Sequence, residues 1–344
     1  MAVAIILSAV LLRLPDPDHR YAGVRLCSDL GGDGALAREN GEWRLALDLP
    51  GVTRLEYEFE VSHADGRSER LCDPGNPRRA PGVFGEKSVL LAPGYAPPDW
   101  LEAPVVEGET SALTVHGRGL GADVHVAIWA PAGTPPDEPL PLLVAHDGPE
   151  YDELSRLTRY AAAQIAGGAL PPHRVALLAP QDRDEWYSAS ARYAGALTRD
   201  VLPAIAGAVA TKGEPAAIGA SLGALALLHA HRRHPGAFGA LFLQSGSFFV
   251  PRFDAHEARF PRYQRIVRFT RAMPRGAGDA PPVPTVLTCG AAEENVHNNR
   301  LTARTLAAQG YPARLHEVGD THNHTAWRDA LHPHLTGLLA RAWA

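Results

Sequence analysis

The stretch P-A-A-I-G-A-S-L-G-A-L-A-L-L-H-A-H-R-R-H, residues 215–234, decides the fold. Residues 215–220 form an apolar run of strand length that leads directly into Ser221. Residues 222–234 are rich in Ala and Leu, carry Arg232, Arg233 and His234 near their end, and stop at Pro235-Gly236, which predicts a helix. The order is therefore strand, tight turn, helix. A sharp turn at that junction lifts a serine hydroxyl above a sheet, while Gly219 and Gly223 keep side chains out of the crowded corner. The helix N-terminus beneath favours developing negative charge. A G-x-S-x-G string alone arises by chance about once in six chains this rich in glycine, so the surrounding pattern must carry the reading.

The pattern around it agrees. From residue 140 onward, apolar strand-like runs at 140–145, 174–179, 215–220, 240–243, 285–289 and 313–318 are mostly separated by stretches of helical periodicity. This predicts an α/β fold, a mostly parallel sheet with helices on both faces. In such sheets ligands bind beyond the carboxyl ends of the strands, so the polar residues after each run become the candidates.

A serine nucleophile needs a general base, an acid to orient it and donors for an oxyanion. After the last run come His322 and His324, either of which can act as base; as an H-x-H pair they would also make half a metal site, but no further ligand cluster accompanies them and no metal is expected. After the run 285–289 come Glu293 and Glu294, and the three-residue reach from Gly290 favours Glu293 as the acid. The oxyanion donors are expected to be the backbone N–H groups of Leu222 and Gly148, since Pro149 cannot donate. The order Ser, acid, His is that of α/β-hydrolases. This chemistry requires no cofactor.

Residues 1–108 follow a different grammar. Short strand-like runs at 21–27, 42–49 and 55–61, separated by turn clusters such as Gly31-Gly32-Asp33-Gly34, predict a small all-β sandwich. Residues 1–12 are apolar but lack a basic start and a cleavage site, and are read as a first strand. Pro97, Pro98 and Pro104 around Trp100 suggest a stiff linker, which puts the catalytic region at 109–344. The runs 113–115 and 124–129 predict an antiparallel hairpin at its start.

With 344 residues, a net charge of -5 and no block of basic residues, the chain lacks the electrostatic footprint of a nucleic-acid binder. No apolar run reaches the ~20 residues that cross a bilayer. Cys27, Cys72 and Cys289 are odd in number and widely spaced, which points away from a disulfide framework and towards a reducing, cytoplasmic location. The expected partner is a small-molecule ester.

Together the motifs H-D-G-P-E-Y (146–151), G-A-S-L-G (219–223), Q-S-G-S-F (244–248), C-G-A-A-E-E-N (289–295) and H-N-x-x-x-W-R (322–328) resemble the enterochelin esterase family, grouped with esterase D-like esterases. In the front region, D-P-G-N-P (73–77) and G-Y-A-P-P-D-W-L (94–101) look like the tail of that family's immunoglobulin-like domain. The resemblance implies Ser221 as nucleophile, Glu293 as acid and His322, in preference to His324, as base. It also admits a siderophore-like or other anionic or aromatic ester as substrate. Asp320-Thr321 stands before His322 where a small, Gly-rich lead-in is common in the family.

Candidate substrate-binding residues are Arg183, Glu185 and Tyr187, which follow the 174–179 run, and Trp327 of the last motif. Arg259, Arg262, Arg265, Arg268 and Arg271 recur every three residues and make a drifting basic stripe on a helix, whose other side would bury Phe260, Tyr263, Ile266, Val267 and Phe269. The plain expectation is a solvated face; the sharper one is a cap segment that attracts an anionic substrate. Two other functions compete with ester hydrolysis: acyl transfer through the same triad, and a catalytically silent binding protein.

Overall fold

The computed structural model describes residues 10–30, 34–49, 51–276 and 280–344. The strand expected over 1–12 is thus described only from Val10, and the turn expected at 31–34 lies outside the described residues except for Gly34.

The chain divides into two compact units, one formed by residues 1–96 with 290–294 and 317–326, the other by 97–289, 295–316 and 327–344. The first unit is all-β over its front part, in strands β1 (Val10–Pro15), β2 (Gly23–Cys27), β3 (Ala37–Glu39), β4 (Glu42–Leu47), β5 (Arg54–Ser62), β6 (Ser68–Leu71), β7 (Arg79–Ala80) and β8 (Lys87–Leu91). One sheet has the order β1-β4-β3 and the other β2-β5-β8-β7, with β6 also on β5. Every second residue of β1 and β5 turns inward, so Leu12 and Leu14 meet Trp43, Val24, Tyr57, Phe59 and Val61 in one core shared by both sheets.

The second unit carries β9 (Gly108–Gly117) and β10 (Ala122–Pro131), the expected hairpin, turned at Gly121 with φ +67°. The alternation follows: β11 (Leu142–His146), α1 (Gly148–Ser155), α2 (Leu157–Ala166), β12 (Arg174–Ala179), α3 (Arg183–Tyr187), α4 (Ala191–Ala196), α5 (Leu202–Ala208), β13 (Ala216–Ala220), α6 (Leu222–Arg233) and β14 (Ala240–Gln244). Then come α7 (Tyr263–Ala272), β15 (Thr285–Gly290), α8 (Val296–Ala308), β16 (Ala313–Val318), α9 (His324–Asp329) and α10 (Thr336–Ala342). The eight strands run in the order β16-β15-β14-β13-β11-β12-β10-β9. Pairings among β11, β12, β13, β14 and β15 are parallel and the hairpin is antiparallel, so the sheet is mixed.

Strands in the middle of this sheet are apolar on both faces because both faces are covered. In β11, Leu142 and Val144 enter one core with α6, while Leu143 and Ala145 enter another with α2 and α10. Each such buried aliphatic side chain is worth about 1.5–3 kcal/mol over an exposed one. No helix among the described residues is long and apolar enough to cross a membrane.

The boundary falls at residue 96 rather than at the 108 expected from the prolines. Residues 97–107 do not behave as a free linker. Trp100 packs edge-on against Tyr160 of α2 with ring centres 5.5 Å apart, Arg159 donates to the carbonyls of Leu101 and Ala103, and the Val106 N–H donates to the Ala162 carbonyl. The segment is a strap on α2, a use of proline stiffness that composition does not separate from a linker.

Candidate active site

Strand β13 ends at Ala220, α6 begins at Leu222, and Ser221 between them has φ +55° and ψ -123°. A non-glycine residue in that region is strained by about 1–3 kcal/mol and is held only by its surroundings. Here the Ser221 N–H donates to the Gln244 carbonyl (2.9 Å), and its carbonyl accepts from the Ser247 N–H (3.1 Å). A side chain at Gly219 would lie 2.7 Å from the Gly223 carbonyl carbon, and one at Gly223 would lie 3.2 Å from the His146 Cβ. Gly219 is therefore required by contact, and Gly223 sits where a side chain would be crowded.

Around the serine, the Ser221 and Ser247 hydroxyls lie 3.1 Å apart. Gln244, at the end of β14, accepts from the Tyr151 hydroxyl (2.9 Å) and donates to the Thr288 hydroxyl (3.0 Å) and the Trp327 carbonyl (3.1 Å). The Trp327 indole N–H donates to the Ser245 hydroxyl (3.0 Å). Ser247 was not singled out by sequence reasoning; its position in Q-S-G-S-F, just past the neighbouring strand end, was the available signal.

Leu222 is the first residue of α6, one of the positions whose N–H has no partner within the helix. Gly148 is the first residue of α1, preceded by Asp147 in the left-handed region at φ +49°. Asp147 is clamped by Arg183 through two hydrogen bonds of 2.8 Å, and its N–H donates to the Tyr187 hydroxyl (3.3 Å). His146 is fully buried and ties β11 to α6. Since a carbonyl only accepts, its Nδ1–H donates to the Gly223 carbonyl (3.0 Å), and Nε2 accepts from the Tyr193 hydroxyl (2.9 Å). Burial pushes its pKa down to about 4, so it stays neutral and is a positioning group.

A Cβ on Gly148 would fall 2.4 Å from the Leu177 Cα, a backbone atom that cannot move aside cheaply. Gly148→Ala is therefore expected to cost about 1–3 kcal/mol of stability and to lift the start of α1. Denaturant unfolding with ester hydrolysis rates checks this: a midpoint equal to wild type would contradict it, and a tenfold or greater fall in kcat is expected.

In the first unit, the loops after β15 and β16 bring His322 and Glu293 together, with Nδ1 to Oε2 at 3.6 Å, ion-pair distance. The Glu293 side chain is fully buried, whereas Glu294 is exposed. His324 is placed as the first residue of α9. A side chain at Gly290 would meet the Asp320 carbonyl oxygen at 2.3 Å, so these two loops touch backbone to backbone. Asp320 organises the histidine loop by accepting from the Thr321 N–H (2.8 Å) and the Asn323 amide (2.8 Å), and the Asn323 oxygen accepts from the Ala326 N–H (2.8 Å) in the first turn of α9.

The candidate substrate-binding residues sort differently from the expectation. Tyr187 is completely buried and stacks on the His146 ring at 4.5 Å, and Trp327 is buried. Both support the site from behind. Glu185 is held by Arg262 (2.6 Å) and Arg265 (2.7 Å), so two members of the arginine stripe are spent on an internal network, while Tyr263, Ile266 and Val267 are buried as expected and Phe260 and Phe269 are half-buried. A cavity of about 420 Å³ is lined by Glu185, Asp182, Trp186 and Arg192 and does not include Ser221. Arg183 remains partly exposed through its guanidinium.

Residues 117–338 match the family model Esterase, described as "Putative esterase". The chain belongs to that family. Ester hydrolysis is the activity class of this esterase-family chain, and the resemblance to enterochelin esterases drawn from its motifs is borne out. It is similar to the ferric enterobactin esterase of Salmonella typhimurium, at 21% identity and a TM-score of 0.72, over 97% of this chain and 93% of that one. It is likewise similar to the enterobactin esterase of Shigella flexneri in the presence of enterobactin, at 19% identity and a TM-score of 0.71, over 97% and 92%. A ferulic acid esterase matches at 16% identity and a TM-score of 0.58, over 69% of this chain and 99% of that one. A search of curated proteins finds no match.

Proposed function

We propose that the chain is a serine carboxylic-ester hydrolase of the α/β-hydrolase type, preceded by an immunoglobulin-like domain, which works through an acyl-enzyme without a cofactor. The observation that carries this reading is Ser221 itself, a strained residue at φ +55° on a strand-to-helix turn between Gly219, which admits no side chain, and Gly223, where one would be crowded. Ser221 Oγ attacks the ester carbonyl and His322 takes its proton. The Nδ1 edge of His322 faces Glu293, which leaves Nε2 for that transfer and gives Glu293 the task of stabilising the imidazolium. The N–H groups of Leu222 and Gly148 receive the oxyanion. His322 then protonates the leaving alkoxide, and water, activated by the same imidazole, releases the acid.

The substrate class that fits is an aromatic or siderophore-like ester, in keeping with the enterobactin and ferulic acid esterases to which the chain is similar. The absence of any disulfide among Cys27, Cys72 and Cys289 suits a cytoplasmic enzyme. A fluorophosphonate probe tests the nucleophile: the wild type is expected to be labelled stoichiometrically and Ser221→Ala not at all. Equal labelling of both would overturn the proposal.

A further inference from the structure

Segments 290–294 and 317–326, which carry Glu293 and His322, pack with the front β-strands. The attachment is made at several points. The Thr53 and Arg54 N–H groups both donate to the Gly319 carbonyl (2.7 and 3.1 Å), and the Thr53 hydroxyl donates to the same oxygen (2.9 Å). A side chain at Gly319 would lie 2.8 Å from that hydroxyl, so the approach itself requires glycine. On the acid side, Leu30 and Glu293 form an antiparallel β-bridge, and Ala292 packs on the apolar cluster of Leu49, Val52, Leu55 and Ala92.

At the centre is Arg54, the first residue of β5, only 3% exposed. Its guanidinium donates to Asp320 (2.9 Å) and Asn323 (3.2 Å), the residues that shape the loop around His322, and its other arm meets Glu56 (2.5 Å). One buried cation thus faces two buried carboxylates. Burial pushes the Asp320 carboxyl up to about 6 against the pull of Arg54. Such a cluster is a poor device for stability alone, because desolvation offsets most of the attraction and apolar packing would serve as well. What it supplies is direction. One nitrogen of the planar fork, Nη1, holds both loop residues while the other, Nη2, is anchored on Glu56 of β5, so the loop is fixed relative to the strand in a geometry that a single ammonium or an apolar side chain does not span.

We propose that the front β-unit is the mount of the catalytic acid–base pair, and that Arg54 is a positioning residue that sets the orientation of His322 towards Glu293 through Asp320 and Asn323. The inference rests on the triad reading for its effect on rate, but not for its effect on the imidazole. It also gives the Asp320-Thr321 lead-in a task, since Asp320 is the handle that Arg54 grips.

The test uses the full chain as wild type, Arg54→Lys, Asp320→Asn and Val61→Ala, the last a control that weakens the same unit in the core far along β5 from Arg54. Of the titratable groups of this unit, Glu293 faces His322 directly, Glu294 follows it in the same loop, Asp320 and His324 flank His322 in sequence, and Arg54 and Glu56 reach that loop through Asp320. Its imidazole is followed by NMR titration, assigned with His322→Asn. A carboxylate beside an imidazole favours the charged form, so Arg54→Lys is expected to lower the His322 midpoint by half a unit or more, with kcat down tenfold or more and KM within twofold. Asp320→Asn, which keeps the loop-side oxygen, should act in the same direction and covers the case in which Arg54→Lys fails to fold. Val61→Ala should leave both midpoint and kcat within twofold of wild type. A midpoint in the folded Arg54 or Asp320 variants that matches wild type overturns the positioning role. A midpoint that moves while kcat does not would uphold the mount and overturn His322 as the base.

Discussion

Ser221→Gly is expected to lower kcat for ester hydrolysis by about 10⁴-fold or more while making the protein more stable than Ser221→Ala. The loss of rate follows from removing the nucleophile of a group that acts as a unit, after which only oxyanion and binding contributions persist. The gain in stability follows from the backbone. At φ +55° and ψ -123° a Cβ costs about 1–3 kcal/mol, which alanine retains and glycine sheds, less the ~0.4–1 kcal/mol that glycine adds to the entropy of the unfolded chain. Both variants lose the contact between the Ser221 and Ser247 hydroxyls, so that term cancels between them. Denaturant midpoints measured side by side check the comparison: glycine should exceed alanine by about 1 kcal/mol, and the reverse order would mean that the turn is not strained.

The second large effect is on pH. His146 and His173 are buried, and burial pushes both down to about 4. Between pH 4 and the ordinary imidazole value of about 6.5 the unfolded chain binds protons that the folded one does not, so stability falls as pH falls through that window. From pH 7.5 to pH 5 each ring should cost about 2 kcal/mol. Asp320 acts in the opposite direction. Raised to about 6, it binds its proton in the folded state first and returns about 1 kcal/mol over the same interval. The net loss from these three groups is about 2–3 kcal/mol, a substantial part of the stability of an ordinary domain. His173→Asn isolates one ring, because an amide can replace the Nδ1–H bond to the Pro171 carbonyl (2.9 Å) without titrating. Urea unfolding at the two pH values should show this variant losing about 2 kcal/mol less than wild type. Equal losses would place His173 outside the acid response.

What the sequence revealed and what it hid divide along physical lines. The G-A-S-L-G junction was legible because local sterics demand it: the strand, the turn and the helix lie within twenty residues, and both glycines have nearby reasons to be glycine. The strand runs 174–179 and 313–318 match β12 and β16 to the residue, although only β12 is a buried apolar run and β16 is a half-buried strand at the sheet edge. Strand-end positions pointed to Glu293 and to either His322 or His324, and the family resemblance chose His322, which lies 3.6 Å from Glu293.

The hidden parts depend on distant contacts. Nothing near Arg54, set among the apolar and acidic residues of a strand, indicates a partner 266 positions away. Arg262 and Arg265 looked free because Glu185, which holds them, lies about eighty positions earlier in the chain. Tyr187 was taken for a pocket residue because it follows a strand end, yet the short α3 turns it into the core beside His146. The prolines at 97–104 read as a linker for want of any sign that Trp100 has a bed on α2.

The most direct test of the central claim is to trap the acyl-enzyme. An activated aryl ester mixed with the wild type, quenched in acid and examined by intact mass and peptide mapping, should show one added acyl group on the peptide that contains Ser221, and none in Ser221→Ala. An adduct on another residue, or turnover in Ser221→Ala at the wild-type rate, would contradict the account.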